Sequence, residues 1–559
     1  MKLHSSHIFF TAISILAIIS CGKDYSAEIE NLKAEIEKQQ KEVTDTLKAK
    51  GCLVSFGFRS IDNAQALIHD TQAEILESGA VQCRIPHIIE SKKLVPTFTY
   101  VGTGILFDGK PAVSGKDTVD FTSPVSVTIK GEDGDDVQYT VSVIGFTGLP
   151  IVYIETEGRA AVVSKEEKVN CTVRIVEDIR TKAAGDVLEA TATIKGRGNS
   201  TWPKPKKPYK IKFDKKQSVL GMPADKEWVL LANYMDKTQI RNHIAFYMGR
   251  NFSNLDYTCR THFAELVLNG EFMGTYLVGE HQKIATDRVN VTDKGYLMEI
   301  DKRAESEDDA RIFYTKHLDH SVNIKDPEIE YNTPEFEYIK NFVSEVDSII
   351  FSTHFANPSR GYAKYIDVDS FVDWYLLNEL AKNNDAAFWS SCYMHHQPGG
   401  KLIMGPIWDF DLGWGGANIN SSYKTEGLWV GKYAEWYKRL LEDPSFVDKV
   451  RERLHWFESK LPEIYMEIND AADYLKYSEI ENDAKWHILY TNTGSNYNIL
   501  GCYDNEIQDL KKWISERFKW MVSYFDSYRP AAPEEKEDST GNTENWNEEN
   551  HDPSAFGND

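Results

Sequence analysis

Two aspartates with a short hairpin between them are the part of this chain best suited to chemistry. Asp385 ends a polar loop, Asn383-Asn384-Asp385, that runs out of the helical stretch Asn378-Glu379-Leu380-Ala381. Asp409 and Asp411 follow the apolar run Leu402-Ile403-Met404-Gly405-Pro406-Ile407-Trp408. Strand-like segments at Cys392–Met394 and Lys401–Met404 lie between the two sites. A loop carboxylate can orient or deprotonate a hydroxyl. An acidic pair after a strand offers hard oxygen ligands to a cation such as magnesium, which itself prefers to bridge phosphate oxygens. Carboxylates divided between those two jobs are what phosphoryl transfer requires.

A third constellation could hold the phosphates. Gly196-Arg197-Gly198-Asn199-Ser200-Thr201-Trp202 is a tight turn exposing backbone amides, and Lys204, Lys206 and Lys207 follow it. The next segment, Tyr209-Lys210-Ile211-Lys212-Phe213, alternates as a strand, which puts Lys210 and Lys212 on the face opposite Ile211 and Phe213. Taken alone, this is also what a basic turn entering a surface strand looks like. Glu280, Glu299 and Asp301 are acids near strand ends, and the plainer reading of Glu280 and Asp301 is pairing with Lys283, Lys302 or Arg303. Arg241 and Asn242, in a helix after Trp228–Tyr234, read as packing support able to anchor Asp236.

Two patterns look chemical and are not. Gly104 to Lys110 fits a phosphate loop up to its Lys, but Pro111 stands where a Ser or Thr would hold magnesium and no helix follows, so it reads as a turn between strands. His395 and His396 are neighbours on a strand and point to opposite faces, which argues against a shared zinc ion.

The elements that must position these residues fall into blocks. Residues 51–147 alternate Val, Ile, Thr and Phe in short runs with Gly and Asp turns, as in a β-sandwich-like module. A further β-rich stretch opens 148–530, which turns helical from Asp369, with Phe371, Tyr375, Leu376 and Leu380 and later Phe446, Val450, Leu454 and Phe457 at helical spacing. Residues 22–50 place Ile29, Leu32, Ile36, Val43 and Leu47 close to a heptad, with Gln39 in the seam. This short stalk is equally a solvated linker helix or a pairing element for a homo-oligomer. Residues 531–559 carry nine acids against one Lys and almost nothing apolar, the composition of a disordered tail.

The chain has 559 residues, 41% of them hydrophobic, enough for more than one core, and its net charge of -23 disfavours nucleic acid as a partner. Residues 1–21 read as a lipoprotein signal peptide: Lys2, an apolar run from Ile8 to Ile19 too short to span a bilayer, then Ser20-Cys21. Cys21 is the expected lipidation site, so the membrane partner would be reached through a lipid anchor. That places the protein outside the cytoplasm, in a bacterial cell envelope at the outer membrane or cell surface. The other six cysteines form no CxxC pair, which excludes a disulfide scaffold or zinc site of the usual spacing.

The chain resembles the CotH-type kinases, a family named from a bacterial spore-coat protein kinase. The resemblance rests on RGNSTW at 197–202, KKPYKIKF at 206–213, WVLLANYMDKTQIRNHIA at 228–245, LNGEFMGTYLVGE at 268–280, YLMEID at 296–301 and GPIWDFDLGWG at 405–415. It implies a multidomain protein in which an α+β atypical two-lobed protein-kinase-like domain with a helical C-terminal lobe follows the β module. It also implies ATP with Mg2+ or Mn2+ as cofactors and the Ser/Thr hydroxyls of an acceptor protein as substrate. On the matching positions Asp385 looks like the catalytic Asp and Asp409 like the metal-binding Asp, with Asp411 as a second ligand. Arg197, Asn199 and Ser200 would belong to the nucleotide loop, Lys207, Lys210 or Lys212 would contact phosphate, and Glu280 would sit at a hinge beside the nucleotide. The chain departs from protein kinases in two places: Ala386–Ser391 holds no Asn for a second metal ion, and the metal turn reads Asp-Phe-Asp. ATP is scarce outside the cytoplasm, so the competing reading is a non-catalytic surface-binding or adhesion lipoprotein on the same fold.

Overall fold

The computed structural model describes residues 50–531, except 65, 68–69, 86–91, 145–146, 177–186, 293, 308–309 and 495, together with 30, 33–35, 37–38 and 41. The expected signal peptide with Cys21, the apolar seam of the stalk and the tail from 532 lie outside the described residues. The chain divides into two compact units, Met1–Thr147 and Gly148–Asp559.

The first unit is β-rich. A three-stranded sheet, centred on Cys52–Phe58 paired with Pro96–Val101, shares a core with a six-stranded sheet built around Val125–Lys130 and Asp136–Ile144. Alternation does this: Val125, Val127 and Ile129 are buried while Ser126 between the first two is exposed. Phe56, Phe58 and Phe121 meet edge-on at 5.3–6.0 Å, filling the centre with rings in a favoured geometry. The Gly104–Lys110 segment forms a hairpin whose turn residues, Asp108 and Gly109, both have positive φ, and Phe107 pairs with Lys110 across it.

The second unit begins with a closed seven-stranded barrel: β1 (Ile151–Thr156), β2 (Val169–Val176), β3 (Val187–Gly196), β4 (Tyr209–Gln217), β5 (Asp225–Leu231), β6 (Thr261–Leu268) and β7 (Glu271–Glu280). Its order is β1-β2-β3-β4-β5-β7-β6, and the parallel pairing of β1 with β6 closes it. Ile194, Ile211, Phe213, Trp228 and Leu230 fill the interior. Alternate residues of β5, Val229 and Leu231, instead join the core of the helical region, so this strand is apolar on both faces. Helix α1 (Arg241–Phe252) comes between β5 and β6.

Beyond the barrel, β8 (Tyr296–Ile300), β9 (Ile312–Phe313), β10 (Val322–Asp326), β11 (Cys392–His396) and β12 (Leu402–Met404) make an antiparallel sheet in the order β9-β10-β8-β11-β12. Around it lie α2 (Pro334–Ile350), α3 (Val368–Ala381), α4 (Pro444–Ser459), α5 (Leu461–Leu475), α6 (Ser478–Trp486) and α7 (Tyr503–Ser527). Among the described residues no helix is long and apolar enough to cross a membrane. The six described cysteines are free thiols.

Helix α3 is the axis of this region. Its N-cap Asp367 accepts from Ser370 N at 2.8 Å, and every residue from Ser370 to Ala381 is buried, as expected of a helix packed on all sides. Four of those residues are polar, and each is matched, beginning with Ser370, whose hydroxyl donates to Asp367 O at 2.8 Å. Asp373 holds Arg453 at 2.8 and 2.9 Å, Asn378 accepts from Asn383, and Glu379 holds Arg517 at 2.6 Å as well as the amides of Trp429 and Gly431. Both members of the Glu379–Arg517 pair are fully buried. Leaving one member unpaired strands a charge in the core, so Arg517→Met is expected to cost about 3–5 kcal/mol. The double variant Glu379→Gln with Arg517→Met removes the stranded charge and keeps an acceptor for the amides of Trp429 and Gly431, so it should recover part of that loss, and urea unfolding followed by circular dichroism checks both.

Candidate active site

Helix α3 hands the chain directly to the acidic loop. It ends on Lys382 in the left-handed region (φ 45°), a conformation that costs a non-glycine residue roughly 1–3 kcal/mol. What holds Lys382 there is its ammonium, which donates to the carbonyls of Lys424 and Glu426. Asn383 then donates to Asn378 Oδ1 at 3.0 Å and Trp408 O at 3.2 Å, tying the loop before Asp385 to the segment before Asp409. From the other side, α1 contributes Asn242, whose Oδ1 accepts from Phe410 N at 2.7 Å. Asn242 also donates to Asn233, and the start of α1 is fixed by buried Asp236, which accepts from Arg241 and Thr238. Asp409 has a φ of 64°, a backbone strain located where the metal ligand was expected.

Held this way, the carboxylates work against one another. Burial and then the charge of Asp409 push the Asp385 carboxyl up to about 6, while Arg303 opposes the shift. Arg303 lies 3.5 Å from Asp385 and donates to Ser390 Oγ at 2.9 Å. Burial, then Asp409, Asp236 and Asp385, hold Asp411 well above the usual carboxylate range, with Arg197 opposing. Arg197 places its guanidinium 5.6 Å from the Trp408 ring centre.

A divalent cation fits this donor set. Asn384 Oδ1, beside Asp385, is a buried acceptor without a hydrogen-bond partner, while Asn384 Nδ2 donates to Leu412 O at 3.4 Å and Lys382 O at 3.3 Å. Among the described residues no three His, Cys, Asp or Glu side chains form a metal-holding group by themselves. A hard cation here would therefore draw part of its shell from water and phosphate, which is how magnesium commonly binds.

A basic surface lies on the outside of the barrel. Lys210 is 3.0 Å from Glu227, Lys283 is 3.2 Å and Lys212 3.8 Å from it, and Lys212 and Glu227 are directly opposed across β4 and β5. Burial works against the Glu227 charge, but Lys210, His281 and Lys283 pull its carboxyl down to about 2. Lys210, Lys212, Lys168, Lys195 and Thr193 line a cavity of about 200 Å³ with Glu227 and Glu328.

The other expected residues lie elsewhere. Lys207 donates to Trp202 O at 2.8 Å and braces its own turn, and buried Lys206 donates to Thr275 O and to Asn482 at 2.7 Å. Asn199 is exposed and accepts from Lys165 at 3.0 Å, and Ser200 is exposed beside it. Glu280, expected at the nucleotide, is fully buried between Arg260 at 2.8 Å and Arg288, and also accepts from Tyr257 at 3.0 Å. Its whole acceptor capacity is used in that cluster, so its placement is that of a core brace. His395 contacts Asp256 at 2.9 Å and His396 contacts Tyr338 at 3.0 Å.

Sequence reasoning missed Glu227, Arg303 and the clamp residues Lys382 and Asn383. Glu227 has no motif of its own, and only the register of β4 against β5 brings it to Lys210. Arg303, expected as a partner for Asp301, does donate its amide to Asp301 Oδ1 at 2.9 Å, but its guanidinium faces Asp385 at 3.5 Å, which the sequence does not show.

In comparisons with known proteins, a family model described as CotH kinase protein matches residues 194–521. No curated protein matches the chain. A crystal structure described as a glycoside hydrolase from Bacteroides thetaiotaomicron is 14% identical, covering 52% of this chain and 87% of that one, with a TM-score of 0.15. A likeness that slight bears on neither fold nor chemistry.

The coupling between the carboxylates is directly measurable. Asp409→Asn removes a like charge beside Asp385, so the Asp385 carboxyl should titrate at lower pH than in the parent protein. Carboxyl carbon NMR through pH 4–8 (about that range) reads this in the absence of metal.

Proposed function

This chain belongs to the CotH kinase protein family, and on that premise we propose that it is an atypical protein kinase, moving the γ-phosphoryl group of ATP to Ser or Thr hydroxyls. The observation that carries the reading is the pinning of Asp385, Asp409 and Asp411 in one mutually repelling group by Asn383 and Asn242. The proposed fold is two-lobed, with the barrel as the first lobe and the helical region as the second. The acceptor is a protein of the bacterial envelope or cell surface, and Cys21 is the proposed lipid anchor.

In this reading Asp385 orients the acceptor hydroxyl and takes its proton as the new O–P bond forms and the bond to the ADP leaving oxygen breaks. Its raised carboxyl, near 6, is ionised at neutral pH and basic enough to receive that proton. Arg303, bound to Ser390 and 3.5 Å from Asp385, offsets part of the repulsion among the acids. Asp409 and Asp411, with Asn384 Oδ1, would hold Mg2+ or Mn2+, which when bound would neutralise phosphate charge. Lys210, positioned by Glu227, would meet the phosphates from the barrel side, with Arg197 beside the acids. The Lys210–Glu227 pair corresponds in role to the lysine–glutamate ion pair of protein kinases.

The decisive assay incubates the purified chain with γ-labelled ATP and Mg2+ or Mn2+ and scores label on the chain and on a Ser/Thr-rich acceptor. Asp385→Asn should abolish transfer while keeping nucleotide binding. Full transfer by that variant would overturn the assignment. Because the Asp385 carboxyl is raised, parent activity should be fully present above about pH 7 and fall as pH drops through about 6, where the base protonates. Lys210→Met should raise KM for ATP about tenfold or more, read from initial rates.

A further inference from the structure

The turn after Asp385 is built to present one side chain. Phe388 is buried against Trp374 and Trp436, at 6.1 and 5.7 Å between ring centres, and Phe388 and Ser391 both have positive φ, at 60° and 58°. Between them Trp389 is 46% exposed, although this is the residue type with the most apolar surface to hide. Its backbone is fixed to the site: Trp389 N donates to Asp385 O at 3.0 Å, and Lys302 N donates to Trp389 O at 2.8 Å. Ser390 N also donates to Asp385 O, at 3.3 Å. The indole leans edge-on to His320, with ring centres 4.9 Å apart. Two strained non-glycine residues and a solvent-facing indole are poor choices for stability alone, and such strain collects where function needs a fixed side chain.

Resting on the kinase reading above, the geometry points to Trp389 as the specificity-determining residue of the acceptor site: an apolar shelf that receives an aromatic or aliphatic side chain flanking the acceptor Ser or Thr. The occupant follows from continuity with the reacting group. Trp389 N and Ser390 N both donate to Asp385 O, so the indole leaves the backbone one turn from the reacting carboxylate, within reach of the residues that flank a hydroxyl brought to Asp385. Charge does not set the preference: Lys302 is paired with Glu305 and Arg303 with Asp385, so burial of an apolar flank against the indole is what the patch offers.

The test uses the full chain and Ser-containing peptides that differ only in flanking residues: Phe or Leu, Gly, and Lys. Transfer rates are measured for the parent, Trp389→Ala and Trp389→Phe, and peptide binding without ATP is read separately by fluorescence anisotropy. The parent should prefer Phe or Leu peptides by about fivefold to tenfold in KM. Trp389→Ala should raise KM for those peptides by the same factor with little change in kcat, and Trp389→Phe should retain most of the preference. An unchanged preference in Trp389→Ala, or none in the parent, overturns the inference while transfer itself leaves the kinase reading intact. Flank-dependent peptide binding that needs Trp389 but leads to no transfer keeps the shelf and rejects the kinase reading. Absence of both transfer and binding rejects both.

Discussion

Asp409 raises the proton affinity of both Asp385 and Asp411, and carboxylates that repel in this way will not stay together on their own account. In this protein the opposing force comes from the polar side chains buried along α3 and from the loop that α1 anchors. Asn378 and Asn383 fix the loop before Asp385 to the segment before Asp409, and Asn242 fixes Phe410 from the opposite side. Glu379 does not touch the acids, yet with Arg517 and Lys382 it fastens the 424–431 segment to the end of the same helix. A hydrogen bond of this kind contributes only about 1 kcal/mol net, so the arrangement depends on many of them acting in a water-poor interior. The site is thus an extension of the core. Its electrostatic tension exists because the surrounding packing is stiff enough to keep it.

The same stiffness explains how the barrel and the acids divide their work. The barrel uses its strand alternation twice: inward residues of β4 and β5 make its own core, while outward Lys210, Lys212 and Glu227 make a cation-rich face. The acids gather where the sheet and helices meet.

Much of this was legible in the residues. The order of loop Asp, hairpin, second Asp is a pattern of type and spacing, and the chain carries it on a helix end and two short strands, where local periodicity is readable. The helical character after Asp369 and the β-rich start were legible for the same reason. Closure of the barrel was not, because it rests on a parallel pairing between Ile151–Ile154 and Glu265–Leu268, far apart in the chain. Choosing among the lysines failed on the same ground: alternation favoured Lys210 and Lys212, but only strand register shows Glu227 opposite. Only the resemblance put Glu280 at a hinge; the plainer expectation of ion pairing is what the structure has, but with Arg260, just before β6, and Arg288, in the turn after β7, in place of Lys283, nearer in sequence. Trp389 lay unremarked in a segment noted only for holding no Asn, until the structure left its indole half-exposed beside the site.

The central claim is that Asp409 and Asp411 complete a metal-dependent nucleotide site with the barrel lysines. Calorimetric titration of the full chain with ATP, with and without Mg2+, tests it most directly. The account predicts binding of one nucleotide per chain that strengthens markedly with Mg2+, with that gain lost in Asp409→Asn. Equal ATP affinity with and without the metal, or a gain that survives in Asp409→Asn, would contradict it.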